Sequence, residues 1–372
     1  MTARHGLRCR HAFEALAVHA NGEVVCSIID GRGEFVLGNV HHESLHDILD
    51  GTRMRDLRRL MLSRRDSFCP AVGKRCPLKS IPTRDQEEVP TSLRFLMIEP
   101  TTACDLRCLT CPVRTFTGDV TWRDAYRDGG VSFAVWDGAR RAKQYAADAV
   151  RRILPHAGPH QSVARGRATA LLTRGRIPRS RNGTLPPEVL ERVVTEAGDR
   201  IERLDLFNYG EPFLYRHLIR VLRHIRRVMP STIVVVSTDG MQVRPEVQDA
   251  IVAERLLDDV VFSVDGCDED SYRRYRIRGR FETAFANMLR FHDRARGSSV
   301  RVIWQYVVFR WNDSDDQLQR AIAMAERAGI PIWFDFAHTW GRSRRKADDL
   351  RYLTPYLRPF TALPDEARQE GW

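Results

Sequence analysis

The sequence has 372 residues, with 59 lysines and arginines against 48 aspartates and glutamates, and a formal net charge of +11. Its apolar content of 43% is ordinary for a globular protein, and no apolar run approaches the roughly 20 residues of a membrane-spanning helix. The first residues, MTARHGLRCRHAF, lack the apolar centre of a secretory signal. The sequence therefore predicts a cytoplasmic protein without a membrane partner, whose clustered cysteines are metal ligands or redox groups rather than disulfides.

The excess positive charge is nearly all arginine, spread along predicted helices such as RHIRRV and RRYRIRGR. A basic chain can contact nucleic acid, an acidic carrier or a phosphorylated ligand. The sequence has no basic motif interleaved with aromatic residues of the kind that RNA-binding folds use. We therefore do not expect nucleic acid as the partner, and a basic zinc-binding module for nucleic acid is kept as the alternative from another class.

Residues 1–80 predict a small α+β module that is rich in cysteine. The dipeptide Asn21-Gly22 lies between two short β-prone runs, and it predicts a hairpin because both turn residues must accept a positive φ. The capping box SLHD at 44–47 predicts the start of a helix, and RMRDLRRLML predicts a second helix. A core of this size is small, so a bound metal would help to stabilise it. The cysteines of this module are Cys9, Cys26, Cys69 and Cys76.

Residues 81–91 are polar and rich in proline, which predicts a linker. From 92 to 340, strand and helix patterns alternate six times, and the strands are nearly continuously apolar, as parallel strands buried on both faces are. This pattern predicts an α/β fold, a partial (β/α)6 TIM-like barrel of parallel strands. Functional residues of such folds lie on the loops after the carboxyl ends of the strands. Those loops here carry CDLRCLTC, NYGEP, STDG and SVDGC.

Residues 113–185 interrupt the alternation with a long insertion. The stretch AVWDGARRAKQYAADAVRRIL within it predicts an amphipathic helix, and the remainder is basic and irregular. An insertion beside a site is either a lid or substrate platform or a tolerated surface excursion, and the sequence leaves both open. Residues 341–372 follow the last predicted strand as a carboxyl-terminal extension.

The loop CDLRCLTC carries Cys104, Cys108 and Cys111. A structural zinc site needs a fourth ligand, and no His or Cys follows at a suitable spacing. A thioredoxin-like pair would use only the last two thiols. An iron–sulfur cube needs four ligands, so three thiolates leave one iron without a protein ligand. An open coordination position is typical of a catalytic site, where a substrate or cofactor supplies the missing donors.

The C-x3-C-x2-C pattern, the strand LRFLMIEPTTA before it and the six-fold β/α alternation over roughly 92–340 resemble the radical S-adenosylmethionine (radical SAM) enzymes. The resemblance implies that Cys104, Cys108 and Cys111 hold a [4Fe-4S] cluster and that S-adenosylmethionine (SAM) binds to it. The reduced cluster would cleave SAM to a 5′-deoxyadenosyl radical, which abstracts a hydrogen atom from the substrate. An electron donor such as flavodoxin or ferredoxin is implied. Thr110 departs from the pattern, since many members have an aromatic residue near the adenine at that position.

Three further segments resemble the cofactor-binding segments of the family. NYGEP at 208–212 resembles the glycine–glutamate–proline motif that would hold the amino group of SAM. STDG at 237–240 resembles the segment that contacts ribose and carboxylate, and SVDG at 263–266 resembles a strand end of members with auxiliary clusters. The cofactor-binding residues implied are Tyr209, Gly210, Glu211, Pro212, Ser237, Thr238, Asp239, Ser263 and Asp265.

The amino-terminal module resembles the SPASM or twitch extension of radical SAM enzymes, through C…GEVVC, GNVHHESLHDIL and the later cysteine pair. The extension usually follows the catalytic domain, and here it precedes it. The resemblance implies an auxiliary [4Fe-4S] cluster, and four cysteines fit the one-cluster twitch form. Structural zinc and free buried thiols are the alternatives. An auxiliary cluster would accept an electron from a substrate radical, ligate the substrate, or relay electrons to the first cluster.

Cys267 follows SVDG at a strand end, where a thiol could donate a hydrogen atom to a substrate radical, as in radical epimerases. The alternative is a small half-buried residue, as free cysteine often is. The pair His41-His42 and the lone His338 have no ligand spacing. The predicted function is hydrogen abstraction from a peptide or sugar-like substrate that leads to oxidation or bond formation, with epimerisation through Cys267 as the alternative.

Overall fold

The structure is a computed structural model that describes residues 11–26, 36–62, 93–109, 111, 183–337 and 341–358. Several predictions fall on other residues and stay predictions. They concern Cys9, Cys69, Cys76, Thr110, His338, the 81–91 linker and nearly all of the 113–185 insertion.

The amino-terminal module contains the predicted hairpin and helices. Its elements are α1 (His11–Glu14), β1 (Ala15–Val18), β2 (Glu23–Val25), β3 (Gly38–Asn39), α2 (Leu45–Leu49) and α3 (Thr52–Leu62). The hairpin is confirmed and Gly22 has a φ of 82° in the β1–β2 turn, but Asn21 does not have a positive φ, so the prediction that both turn residues are left-handed is wrong for Asn21. The hydroxyl of Ser44 accepts a hydrogen bond from the N–H of Asp47 at 3.0 Å, so the predicted cap of α2 is confirmed as well.

The rest of the described chain alternates strands and helices as the sequence predicts. The elements are β4 (Phe95–Ile98), α4 (Pro187–Ala197), β5 (Arg203–Asp205), α5 (Leu218–Val228), β6 (Ile233–Thr238), α6 (Pro245–Ala253), β7 (Asp259–Ser263), α7 (Glu269–Arg273), α8 (Phe281–Ala295), β8 (Arg301–Val308), α9 (Asp315–Ala328) and β9 (Ile332–Phe336), with 3-10 turns at Pro212–Leu214 and Asp348–Tyr356. Pro187 and Pro245 begin two of the helices, where a missing N–H costs no hydrogen bond. Helix α9 begins after the N-cap Ser314 and ends at Gly329, which has a φ of 68°.

The described strands form one sheet in the order β3-β2-β1-β4-β5-β6-β7-β8-β9. Strands β4 to β9 pair parallel in chain order, which is the arrangement of a partial TIM-like barrel. The amino-terminal module belongs to the same sheet, because β1 pairs parallel with β4 from Ala15 opposite Phe95 to Val18 opposite Ile98. The side chains at the ends of β1 and β4 are therefore neighbours.

The sheet separates two sets of buried side chains. On the outer face, the helices and the sheet bury one large apolar cluster, which includes Val18, Ile98, Val236 and Trp304. Side chains alternate along a strand, so the neighbours of these residues lie on the opposite, inner face. The inner face carries two small apolar clusters, Ala17 with Val25 and Met97, and Val235 with Val261 and Ile303. Each fully buried aliphatic side chain contributes about 1.5–3 kcal/mol, so the outer cluster dominates the stability.

Residues after β9 cover the end of this core. Leu350 and Leu353 of the last 3-10 segment are buried in the outer cluster. No helix within the described ranges combines the length and the apolar character needed to cross a bilayer.

Candidate active site

The cysteine loop lies at the carboxyl edge of the sheet, directly after β4. The N–H of Cys111 donates to the carbonyl of Cys108 at 3.1 Å, which closes a turn between the last two cysteines. Leu106 and Leu109 are buried and fix the loop against the fold. The buried leucines between the cysteines therefore hold the loop against the fold, and Cys108 is buried with them.

The three thiols lie close enough to affect one another electrostatically. Burial raises the pKa of Cys104 far above its usual value, and the charges of Asp239, Cys108 and Cys111 act in the same direction. Burial also raises the pKa of Cys108 to about 12, although the cation of Arg276 opposes the rise. Cys104 and Cys108 would therefore hold their protons at neutral pH and lose them to a bound metal.

Asp239, which directly follows β6, lies beside the first cysteine of this loop. Its Oδ2 lies 3.6 Å from the Sγ of Cys104, and its Oδ1 accepts a hydrogen bond from the N–H of Met241 at 2.9 Å. Cys104, Asp105 and Asp239 have possible ligand atoms within 4.8 Å of one another. Burial and the neighbouring Asp105 raise the pKa of Asp239 to about 6. The loop after β6 thus brings a carboxyl group beside the first cysteine.

Glu211 is the central carboxyl group of the site and is 1% exposed. Its Oε1 accepts hydrogen bonds from the N–H of Phe213 at 2.9 Å and the hydroxyl of Thr238 at 3.0 Å, and its Oε2 accepts from the N–H of Asp239 at 2.8 Å. Burial and the charge of Asp239 raise the pKa of Glu211 well above its usual value. A carboxylate has about four acceptor positions, and donors from the described residues fill three of them, which leaves one for a cationic ligand.

The loop from Tyr209 to Pro212 packs tightly against the chain that leads into the cysteines. The N–H of Glu211 donates to the carbonyl of Ala103 at 2.7 Å. A Cβ at position 210 would lie 1.9 Å from the carbonyl oxygen of Thr101, so only glycine allows this approach. Pro212 and Phe213 are buried at the start of the 3-10 turn that aims the N–H of Phe213 at the Glu211 carboxylate.

The ends of β6 and β7 complete the site on the inner face. The hydroxyls of Ser237 and Ser263 lie 3.1 Å apart. Asp265 is fully buried, and its Oδ1 accepts a hydrogen bond from the N–H of Val307 at 2.9 Å while its Oδ2 accepts from Arg276 Nε at 2.6 Å. The structure thus brings the cofactor-binding residues predicted at the ends of β5, β6 and β7 to the same edge of the sheet as the cysteine loop after β4.

Two predicted cysteines lie elsewhere. Cys267 is 1% exposed and belongs to the outer apolar cluster, where its Sγ lies 2.9 Å from Oε1 of Gln317. Cys26 also packs in the outer cluster. It follows β2, which runs antiparallel to β1, so it lies toward the amino-terminal edge of the core strands. The hydrogen-donor role of Cys267 and the ligand role of Cys26 stay predictions.

Two residues that the sequence analysis did not single out belong to the site. Glu99, at the end of β4, accepts hydrogen bonds from the N–H of Ala20 at 3.2 Å and the N–H of Tyr209 at 3.1 Å. His19 Nδ1 lies 3.6 Å from the same carboxylate. Arg276 lies between Asp265 and Cys108. A charged residue ending the apolar run LRFLMIEP was the available signal for Glu99, whereas Arg276 stands in an arginine-rich stretch that hides it.

The donor set fits an iron–sulfur cluster with a SAM ligand. Thiolates are the protein ligands that iron–sulfur clusters require, and three of them converge from one loop. The nearby Glu211 keeps one acceptor position, which suits an ammonium group such as that of SAM. The residues that would hold the cluster and its ligand therefore face the same edge.

Several solved structures are similar to part of this chain. A radical SAM methyltransferase from Sphaerobacter thermophilus is 16% identical, with 52% of this chain and 58% of that chain covered and a TM-score of 0.38. The structure of native anSMEcpe with bound AdoMet is 14% identical, with 67% of this chain and 55% of that chain covered and a TM-score of 0.38. This chain thus spans little more than half the length of either protein. No curated protein matches the chain.

Two family models match the sequence directly. The Radical SAM superfamily model matches residues 98–322, which include the cysteine loop and β5 to β8. The SPASM model, described as an iron-sulfur cluster-binding domain, matches residues 9–77. The first match implies a [4Fe-4S] cluster and SAM as cofactors, and the second implies auxiliary iron–sulfur binding. The chain belongs to the radical SAM superfamily and carries its SPASM module on the amino-terminal side of the catalytic core.

Proposed function

We propose that this protein cleaves SAM reductively to a 5′-deoxyadenosyl radical and uses it to abstract a hydrogen atom from a peptide or sugar-like substrate. The observation that carries the proposal is the meeting of the three-thiol loop with the buried Glu211 at one sheet edge. The cluster and SAM would supply the radical chemistry, and the protein binds, orients and shields them.

The contacts support separate tasks for the residues that would surround the cofactor. Cys104, Cys108 and Cys111 would bind three irons and leave the fourth open for SAM. Fixed donors fill three acceptor positions of Glu211. The position that they leave would accept a hydrogen bond from the ammonium group of SAM. Asp239, which those same bonds hold, lies where it would contact a polar part of the cofactor.

The inner face supports a polar substrate. Ser237 and Ser263 place hydroxyls there, and Gln305 lies opposite Ser263 in the β7–β8 register. Hydroxyl and amide groups form hydrogen bonds equally with peptide amides and with sugar hydroxyls. These groups support both substrate classes of the proposal.

The proposal includes net oxidation or bond formation and a single twitch-type auxiliary cluster. The four cysteines of the amino-terminal module supply the number of ligands that one cube needs. Such a cluster would take the electron that a substrate radical loses when it is oxidised. A flavodoxin or ferredoxin would supply the electron that starts each SAM cleavage.

Replacement of Cys104 tests the proposal. After anaerobic reconstitution, the wild-type protein should form 5′-deoxyadenosine from SAM in the presence of dithionite, as detected by mass spectrometry. Cys104→Ala removes one of three cluster ligands, so formation should fall to the level of a reaction without dithionite. Circular dichroism of the variant controls for folding. A folded Cys104→Ala protein that still forms 5′-deoxyadenosine at the wild-type rate would contradict the proposal, and a colourless wild type that binds zinc would favour the zinc alternative.

A further inference from the structure

Residues 275–277 lie along the cysteine loop and hold one arginine opposite one cysteine. The N–H of Arg107 donates to the carbonyl of Ile277 at 3.0 Å, and the N–H of Leu109 donates to the carbonyl of Tyr275 at 3.2 Å. These two hydrogen bonds flank Cys108 on both sides. The residue between the two carbonyls, Arg276, is therefore fixed against the middle cysteine of the motif.

The guanidinium of Arg276 contacts the sulfur of that cysteine. Its Nη1 lies 3.8 Å from Cys108 Sγ, while its Nε donates to Asp265 Oδ2 at 2.6 Å. The side chain of Arg276 is only 15% exposed, and that of Asp265 is fully buried. Because Asp265 is itself held by the N–H of Val307, the arginine cannot swing away without breaking a buried ion pair.

The arginine carries its charge in this position. A guanidinium stays protonated at any pH at which the protein is folded, and the carboxylate of Asp265 pairs with it at 2.6 Å. The ring of Tyr275 lies 5.4 Å from the guanidinium carbon and covers it further. Charges interact more strongly where protein replaces water, so this buried cation acts on Cys108 with little screening by solvent, and Asp265 offsets part of its effect.

We propose that Arg276 tunes the cluster that Cys108 ligates, by stabilising its reduced form and so raising its reduction potential; this inference rests on the proposed function. Reduction adds one electron, supplied by dithionite or a protein donor, and breaks no covalent bond of the protein. Hydrogen bonds to ligating sulfurs and nearby charges set the potentials of iron–sulfur clusters. The cation favours the more negative state, while Asp265 partly offsets its charge and fixes its direction.

A redox titration of the reconstituted protein tests this inference. The midpoint potential is measured by electron paramagnetic resonance on the signal that changes when SAM is added, which separates this cluster from the auxiliary one. Arg276→Gln removes the charge and should shift the midpoint to more negative values. Arg276→Lys keeps the charge and should lie nearer to wild type.

The matched control is Arg301→Gln. Arg301 also pairs with a buried carboxylate, donating to Asp259 at 2.7 and 2.9 Å, but it lies at the opposite edge of the sheet, where β8 begins. The Arg301→Gln variant removes the same charge far from the cysteine loop, so the midpoint potential of the cluster should not change. An equal shift in both variants would show a general effect of net charge and would overturn the inference.

The remaining outcomes are also decisive. An Arg276→Gln protein with wild-type iron content and an unchanged midpoint overturns the inference. If the Arg276→Gln protein loses its iron, the Arg276→Lys protein provides the test. An Arg276→Lys protein that retains the cluster with a midpoint potential near that of wild type supports the role of the charge. Loss of iron in both variants assigns a purely structural role to the guanidinium and overturns it. A wild-type protein without a SAM-responsive cluster contradicts the proposed function and this inference with it.

Discussion

At the scale of single residues, the site depends on carboxyl groups that are buried and surrounded by fixed donors. Glu211 accepts three hydrogen bonds from the 3-10 turn after it and from the end of β6. A buried polar group without partners costs roughly 1–3 kcal/mol, so these donors keep the carboxyl group in place before any ligand arrives. The preformed geometry is what an ammonium ligand would meet.

The first prediction concerns Glu211→Gln. The glutamine amide can accept on only one of its two atoms, so it cannot satisfy the N–H of Asp239 and the donors to Oε1 together. We expect the affinity of the reconstituted protein for S-adenosylhomocysteine to fall at least about tenfold, or about 1.4 kcal/mol. Isothermal titration calorimetry measures this affinity.

The control for Glu211→Gln is Glu202→Gln, because Glu202 is an exposed carboxylate that pairs with Arg94 away from the site. Its affinity should equal that of wild type. Unchanged affinity in Glu211→Gln would show that Glu211 does not contact the cofactor.

At the scale of elements, the junction of β1 and β4 connects the SPASM module to the loop from Tyr209 to Pro212. The carboxylate of Glu99 accepts from Ala20 after β1 and from Tyr209 after β5. The parallel register of β1 and β4 places His19 beside the same carboxylate. The amino-terminal module therefore helps to position the loop that carries Glu211.

The second prediction follows from this junction. Glu99→Gln leaves one of the two backbone N–H groups without an acceptor, so the free energy of unfolding should fall by roughly 1–3 kcal/mol. Urea denaturation monitored by circular dichroism measures the change. The affinity for S-adenosylhomocysteine should fall in the same variant, because the loop at Tyr209 loses its anchor.

An exposed glutamate of α8, Glu282, offers the comparison. Glu282→Gln should change neither the unfolding free energy nor the affinity. If Glu99→Gln lowers the unfolding free energy but leaves the affinity for S-adenosylhomocysteine unchanged, the junction stabilises the fold without positioning the loop from Tyr209 to Pro212.

At the scale of the whole molecule, the SPASM module and the catalytic core share one sheet, and Cys26 of the module lies apart from the cysteine loop of the core. The loop of Cys104 lies at the carboxyl edge of the core strands. Cys26 lies in the outer apolar cluster, toward the opposite edge. Two clusters on this chain would thus be held by separate parts of the fold, and loss of one should spare the other.

The third prediction is the iron content. The reconstituted protein should hold about eight iron atoms if two cubes form, and the double replacement Cys9→Ala with Cys26→Ala should leave about four. The double variant should still cleave SAM in the presence of dithionite, because the cysteine loop is untouched. Iron analysis and 5′-deoxyadenosine formation measure the two effects. A wild type with about four irons that the double variant retains would contradict the auxiliary cluster alone.

Much of the fold follows from patterns that the sequence displays locally. The alternation of apolar strands with helices, the cap of α2 at Ser44 and the hairpin at Asn21-Gly22 are predicted correctly, because short-range patterns of residue type favour these elements. The pairing of β1 with β4 could not be read this way. Strand pairing depends on distant partners, and nothing local distinguishes β1 as a neighbour of β4.

The candidate site divides along the same line. By itself, the sequence determined the three-cysteine motif, its open coordination position and the strand ends that carry Gly210, Glu211 and Asp239, because ligand type and spacing encode that chemistry. Only the tertiary structure showed that Glu99 joins two modules, that Arg276 contacts Cys108 and that Cys267 packs away from the inner face. These facts depend on the direction and burial of side chains brought together from distant positions, which only the packed sheet decides.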